Sequence, residues 1–393
     1  MRKFLAMAGL IAVAATACNK IGNESAPVIP EGEPANLTVK ILGKTVGTKA
    51  TEAGITRENA VNTVDILVFF DGGAYDRKTD AFGHFASTDP GVDWSTTIGG
   101  TVKASTGARI IYAIANSHMD LSGIETEAQL LALQPTLIAD KDATSGSGLD
   151  NFVMIGRTSQ TLNAGDNAVA INIDRVAARV RVKKITRNFA SAALAGQTFV
   201  VEEMYLSNAV TKDTYADNVS GTGYVKYEPV VADFTTQQGV IPATNDYALW
   251  LNRPLGASGI TLAQSASDVT VADESKYMYS FPNSVATDID GTADPFAVQN
   301  TKLVIRATLN GSTMYYVIPL GGAFSQNATT HAREYTAGPL KANYSYDFEE
   351  IVFTRPGSSD PNAQTLETNV NFTLTVNPWT LAPVETETGK FVI

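Results

Sequence analysis

The strongest signal along the chain is a two-residue alternation of apolar and polar positions, which sends successive side chains to opposite faces of an extended strand. Over 36–46, Leu37, Val39 and Ile41 alternate with Thr38 and Lys40, the pattern of a strand with one buried face. The run Val64-Asp65-Ile66-Leu67-Val68-Phe69-Phe70 is apolar on both faces and predicts an interior strand, closed by the turn residues Asp71-Gly72-Gly73. Further strands are predicted at 109–116, 152–156, 168–185, 199–208, 247–251, 276–281, 301–309, 313–320, 344–354 and 369–376. Asn310-Gly311 separates two of these and predicts a two-residue hairpin, because a type I′ turn needs positive φ at both central positions. Helical periodicity is nearly absent. Only 125–133, with Leu130, Leu131 and Leu133, predicts a short connector helix.

Within 168–185, Val176, Ala178, Val180 and Val182 share one face, and Arg175, Arg179, Arg181 and Lys183 the other. The basic side lacks the aromatic interleaving of a nucleic-acid platform and is expected to be a solvated sheet face. The polar, alanine-rich stretch 186–197 reads as a domain boundary. The expected fold is therefore all-β: two tandem β-sandwich (transthyretin-like) domains with a short connector helix.

The first residues break this pattern. Arg2 and Lys3 precede an apolar run over 4–14, then Ala15-Thr16-Ala17-Cys18. This is the layout of a secretory signal peptide, and the run is too short for the roughly 20 residues that cross a bilayer. Small residues ending at Cys18 resemble a bacterial lipobox, in which the signal is removed before the cysteine and the new N-terminus is acylated. Several acyl chains make a stable tether, since each buried methylene contributes only about 0.8 kcal/mol. Residues 19–34, with Pro27, Pro30 and Pro34, read as an extended stalk.

Cys18 is the single cysteine, so a lipidated chain has no disulfide, zinc cluster or thiol nucleophile to draw on. A net charge of -11 argues against a nucleic-acid partner, which would require clustered cations to displace phosphate counterions. His84, His118 and His331 are too scattered to predict a metal triad. Asp140, Asp142 and Thr144, and Asp288 and Asp290 beside Gly291, fall short of a full calcium-loop spacing and read as turn chemistry. With no nucleophile elbow, phosphate loop or dinucleotide fingerprint, no catalytic residue, cofactor or metal site is expected.

Several segments together resemble the fimbrillin family of Bacteroidales, the major-subunit type of protease-assembled (type V) pili. They are the lipobox at Cys18, the strand 64–70 with Asp71-Gly72, and 110–116 ahead of a short helix. Ile173-Asp174-Arg175-Val176-Ala177-Ala178-Arg179-Val180 and 199–208 follow. Toward the C-terminus come Asn343-Tyr344-Ser345-Tyr346, Pro356-Gly357-Ser358-Ser359-Asp360-Pro361 and Val376-Asn377-Pro378-Trp379.

That resemblance implies a surface fimbrial subunit, serving adhesion, that travels to the outer membrane as a lipoprotein and is cut by an arginine-specific protease. Arg57, followed by Glu58, occupies the matching place. The implied organisation is a signal peptide at 1–17, a propeptide at 18–57 carrying the lipidated Cys18 and a removable strand with Leu37, Val39 and Ile41, domains at 58–187 and 188–379, and a tail at 380–393. The tail is the candidate donor strand, spanning up to about 45 Å at roughly 3.3 Å per residue, with Phe391 and Ile393 entering pockets on a neighbour. Implied partners are other copies, related subunits and the protease, with the membrane touched only through lipid. The alternative is a tip adhesin or a monomeric surface lipoprotein that binds glycan or host protein.

Overall fold

The structure is a computed structural model. It describes residues 32–43, 52–53, 58, 60–74, 76, 81–86, 101–135, 151–207, 209–210, 214–215, 252–255, 258–265, 269–271, 277–283, 301–320, 323–326, 333–336, 340–360, 370–380, 384–385 and 391–392. Strand is the dominant element throughout, as the alternation predicts.

The chain opens with β1 (Pro34–Gly43) and the two-residue β2 (Glu52–Ala53). There follow β3 (Thr63–Phe70), β4 (Phe82–Ala86), β5 (Val102–Ser105) and β6 (Gly107–Ala115). After helix α1 (Glu127–Leu131) come β7 (Met154–Leu162) and β8 (Gly165–Arg175). These strands, β2 excepted, form the first sheet in the order β4-β3-β6-β7-β8-β1-β5. β3 lies between β4 and β6 with both faces buried, as its doubly apolar sequence requires.

β8 pairs with β7 only at its far end, Met154 with Arg175 and Ile155 with Asp174, and with β1 along the rest. β7 and β8 pass so closely near this junction that a Cβ on Gly156 would clash with the carbonyl oxygen of Asn172. Only glycine fits there. α1 is where the leucine spacing puts it, and a capping box between Thr126 and Gln129 satisfies its first backbone donors.

The predicted strand 168–185 is three elements: β8, β9 (Ala178–Val182) and β10 (Lys184–Arg187). The chain changes sheets at Val176-Ala177. Helix α2 (Ala192–Ala195) and β11 (Phe199–Ser207) come next, then short strands β12 (Asn252–Pro254), β13 (Ile260–Thr261), β14 (Val269–Thr270) and β15 (Met278–Ser280). β16 (Lys302–Leu309) and β17 (Ser312–Pro319) form the expected hairpin, with Asn310 at φ 48° and Gly311 at φ 81°. β18 (Ala323–Gln326) and β19 (Arg333–Thr336) pair with each other. β20 (Tyr344–Phe353) and β21 (Val370–Thr380) close the main body, and β22 (Val384–Glu385) and β23 (Phe391–Val392) lie in the tail. The predicted strand at 247–251 lies outside the described residues.

The second sheet runs β14-β10-β20-β21-β2, with β9 also on β20 and β15 on β9. The third runs β12-β11-β16-β17, with β13 on β11. Aromatic rings join the two: Phe199 lies 5.2 Å from Phe353, and Tyr316 lies 4.6 Å from Phe353, centroid to centroid. At the seam, buried Arg187 donates to the carbonyls of Leu194, Ala195, Gln197 and Leu262, which ties down the C-terminal end of α2.

The expected solvated basic face is not there. Arg175 and Arg179 have no exposed surface, Arg181 is buried, and Lys183 is half-buried. Instead of facing water, Arg179 and Arg181 lie under the ring of Tyr277, each with its guanidinium carbon 5.4 Å from the centroid. Across the sheet they meet Ser345 and Asp347 of the parallel β20. A cation buried with its counter-charge costs far less than one buried alone, so the ladder is stable where it lies.

Candidate functional site

The site is built around β1 and the residue that follows the 57–58 bond. Along β1, burial alternates strictly: Ala35, Leu37, Val39 and Ile41 are at most 2% exposed, while Asn36 and Lys40 face out. In register on β8, Val39 lies beside Val169 and Ile41 beside Ile171, so the apolar side chains form one continuous inner face. Burying Leu37, Val39 and Ile41 contributes about 1.5–3 kcal/mol each, an upper estimate.

β1 is bonded on both edges. It runs parallel to β8 from Ala35 to Gly43, and antiparallel to β5 over Pro34–Leu37. At its root the backbone of Glu33 donates to Thr106 Oγ1 at 2.9 Å, and Thr106 N returns a bond to the Glu33 carbonyl at 2.8 Å. Asn36 Nδ2 donates to Asp166 Oδ1 at 2.9 Å on the outer face. β1 is thus an interior strand whose removal would open two edges and one apolar face.

Downstream of β1, β2 pairs in parallel with the end of β21, Glu52 with Trp379 and Ala53 with Thr380. Glu58 then reappears at the seam between the first two sheets with no exposed surface. Its Oε2 accepts from Arg179 Nη1 at 2.6 Å, its Oε1 from the Tyr279 hydroxyl at 2.7 Å, and its backbone carbonyl from Arg175 Nε at 3.0 Å. Burial pulls the Arg175 guanidinium down to about 9, and the charge of Glu58 opposes that shift. Val61 is buried, and Asn116 Oδ1 accepts from Asn62 N at 2.9 Å while its amide donates to Ala60 O at 2.8 Å.

Of the residues singled out by sequence, Leu37, Val39, Ile41 and Glu58 are therefore placed, the first three in one row and Glu58 in a separate buried cluster. Phe391 lies in β23, whose backbone pairs antiparallel with β22. Cys18, Arg57 and Ile393 lie outside the described residues, as do His331 and the two aspartate loops. His84 Nδ1 meets Asp65 Oδ1 at 2.6 Å, and His118 Nε2 meets the Asn151 carbonyl at 2.7 Å. Among the described residues no three His, Cys, Asp or Glu side chains gather as a metal site would require. Arg175, Arg179 and Tyr279 carry no local sequence mark of their role, because they lie 117, 121 and 221 positions from Glu58.

Comparison with known proteins bears on the same region. Residues 35–220 match the family described as Major fimbrial subunit protein (FimA), a span that begins within β1 and takes in all of β3 to β11. This span matches the major fimbrial subunit family. The family is one of structural subunits rather than enzymes.

Solved structures share the fold over most of the chain. A candidate cell adhesion protein from Parabacteroides distasonis superposes with a TM-score of 0.59 at 18% identity, covering 91% of this chain and 99% of that one. Another from Bacteroides eggerthii gives 0.56 at 20% identity, covering 89% and 98%. A fimbrilin from Porphyromonas gingivalis gives 0.52 at 16% identity, covering 90% and 99%. No curated protein matches the chain.

Proposed function

We propose that the chain is the structural subunit of a cell-surface fimbrium whose assembly turns on the removal of β1. In this reading it is exported as a lipoprotein acylated at Cys18 and held at the outer membrane. An arginine-specific protease cuts between Arg57 and Glu58, which separates the subunit from its lipid and from β1 together. A neighbouring subunit's C-terminal segment then fills the vacated place, with Phe391 and Ile393 entering positions left by Leu37, Val39 and Ile41. The fibre serves adhesion, and its subunit is organised as two tandem transthyretin-like sandwiches, with 380–393 as the donor tail.

The observation that carries this reading is the position of β1: an interior strand, buried along one whole face, lying entirely upstream of the 57–58 bond. A sheet that loses such a strand presents apolar surface beside open backbone donors and acceptors, which another chain's strand can satisfy. Filling by a tail from the next molecule is head-to-tail and does not close on itself, so it extends into a filament. The backbone of β22 pairs with β23 at Val384 with Val392 and Glu385 with Phe391, and extending the tail would release those pairs.

Incubating the purified precursor with an arginine-specific protease tests this directly. Release of a form beginning at Glu58, followed by ladders on unboiled gels and by filaments, supports the subunit reading. A stable uncut monomer that retains a glycan or host protein supports the binding-module alternative instead.

A further inference from the structure

Glu58 is held from three directions by residues of two sheets. Arg175 belongs to β8 of the first sheet, whereas Arg179 on β9 and Tyr279 on β15 belong to the second. Extended peptides are bound by strand-like pairing with alternate side chains taken into pockets. The residue directly after the proposed cut meets neither condition while its carboxylate sits on Arg179 and Tyr279 and its carbonyl on Arg175.

We propose that this clamp sets the rate of processing at the 57–58 bond. Cleavage follows transient withdrawal of Glu58 from Arg175, Arg179 and Tyr279, and after the cut the same contacts hold the new N-terminus at the seam between the sheets. The inference rests on the processing reading given above.

Proteolysis of a locally opened state tracks the population of that state when opening and closing are fast. Withdrawing the Glu58 carboxylate leaves the buried guanidinium of Arg179 without its counter-charge, which strongly favours the closed form. A neutral side chain at position 58 gives up that advantage, so the open population and the cleavage rate both rise. Past the cut, buried Val61 and the Asn62–Asn116 bond keep the following residues on the first sheet, so Glu58 can reseat.

The test compares the wild-type precursor, Glu58→Gln and Tyr279→Phe under an arginine-specific protease. Cleavage at each arginine bond is followed by intact mass and N-terminal sequencing. Free peptides of residues 50–65, with and without Glu58→Gln, report the protease's own taste for the new side chain. Cleavage at 57–58 is expected to be at least about tenfold faster in Glu58→Gln and severalfold faster in Tyr279→Phe. Peptide rates, and rates at other arginine bonds, are expected to be unchanged.

Equal rates at 57–58 in wild type and Glu58→Gln overturn the clamp, and so does the same acceleration at every arginine bond, which would mean general loosening. A wild-type precursor cut elsewhere sinks the processing reading alone. The clamp is then judged by amide exchange over residues 58–62, where Glu58→Gln must speed exchange at least about tenfold and an unchanged rate overturns it.

Discussion

Arg181 and Asp347 are direct register partners across the parallel strands β9 and β20, and their side chains meet in two bonds, Nε to Oδ1 and Nη2 to Oδ2, both 2.7 Å. They form the middle rung of a ladder. Arg179 bonds Ser345 on one side, and Lys183 bonds Glu349 on the other, each pair 166 positions apart in sequence. The ladder runs from the fully buried Arg179 to the half-exposed Lys183, so its inner rungs are the ones that matter for stability.

Breaking the middle rung should be costly. Asp347→Ala leaves Arg181 buried without its carboxylate and is expected to lower stability by about 3–5 kcal/mol. Replacing both residues by apolar ones of similar volume, Arg181→Met with Asp347→Leu, is expected to recover most of that loss. Urea unfolding of the uncut chain measures both, and a single variant as stable as wild type would contradict the assignment.

β1 should respond by face. Leu37→Ala empties a fully buried position and is expected to destabilise the uncut chain by about 2–5 kcal/mol. Asn36→Ala, one residue away on the exposed side, is expected to stay within about 0.5 kcal/mol. Equal effects at the two positions would mean that β1 is not seated as described.

The β16–β17 turn gives a backbone test. Gly311→Ala forces a Cβ onto a residue at φ 81° and is expected to cost about 1–2 kcal/mol, with no side-chain contact involved. Asn310→Gly relieves the neighbouring position and is expected to be near neutral. Thermal unfolding under matched conditions distinguishes the two.

Stability should fall above about pH 10. Burial raises the hydroxyls of Tyr112, Tyr205 and Tyr316 well above the ordinary tyrosine value. These groups hold their protons in the folded chain after the unfolded chain has released them near pH 10. Their contribution is therefore complete below about pH 10 and lost as pH rises beyond it. Arg175 acts in the opposite sense, since above about pH 9 the unfolded chain is the better proton binder at that group. Above about pH 10 the raised tyrosines, Tyr315 included, outnumber the lowered arginines Arg175 and Arg187, so the net slope there is downward. Tyrosine absorbance should show a fraction of the phenols ionising only with unfolding, and a single titration near pH 10 would contradict this.

The alternation of side chains was enough to locate most long strands, the connector helix and the Asn310-Gly311 turn, because each depends on local spacing. It also placed Leu37, Val39 and Ile41 on one inward row. Pairing was less accessible. In 168–185 the apolar positions change phase, from Val169, Ile171 and Ile173 to Val176, Ala178, Val180 and Val182; that shift marks where β8 ends and β9 begins, but nothing local says that the two belong to different sheets. β4 and β5 are short and carry weak patterns, as Phe82-Gly83-His84 illustrates.

The buried arginines were misassigned for a related reason. A basic row on one strand has the same pattern whether it faces water or an acidic row elsewhere. The sign that distinguishes them lies in Ser345, Asp347 and Glu349, which alternate on β20 with the same period as Arg179, Arg181 and Lys183. Glu58 shows the limit most clearly: an acidic residue in a polar link reads as exposed, and the three groups that bury it come from three distant strands.

The most direct measurement is the N-terminal sequence of subunits recovered from assembled fibres, taken together with the mass of the same material. The account expects chains that begin at Glu58 and lack both lipid and the strand carrying Leu37, Val39 and Ile41. Fibres built from chains that still begin at an acylated Cys18, with β1 in place, would contradict it.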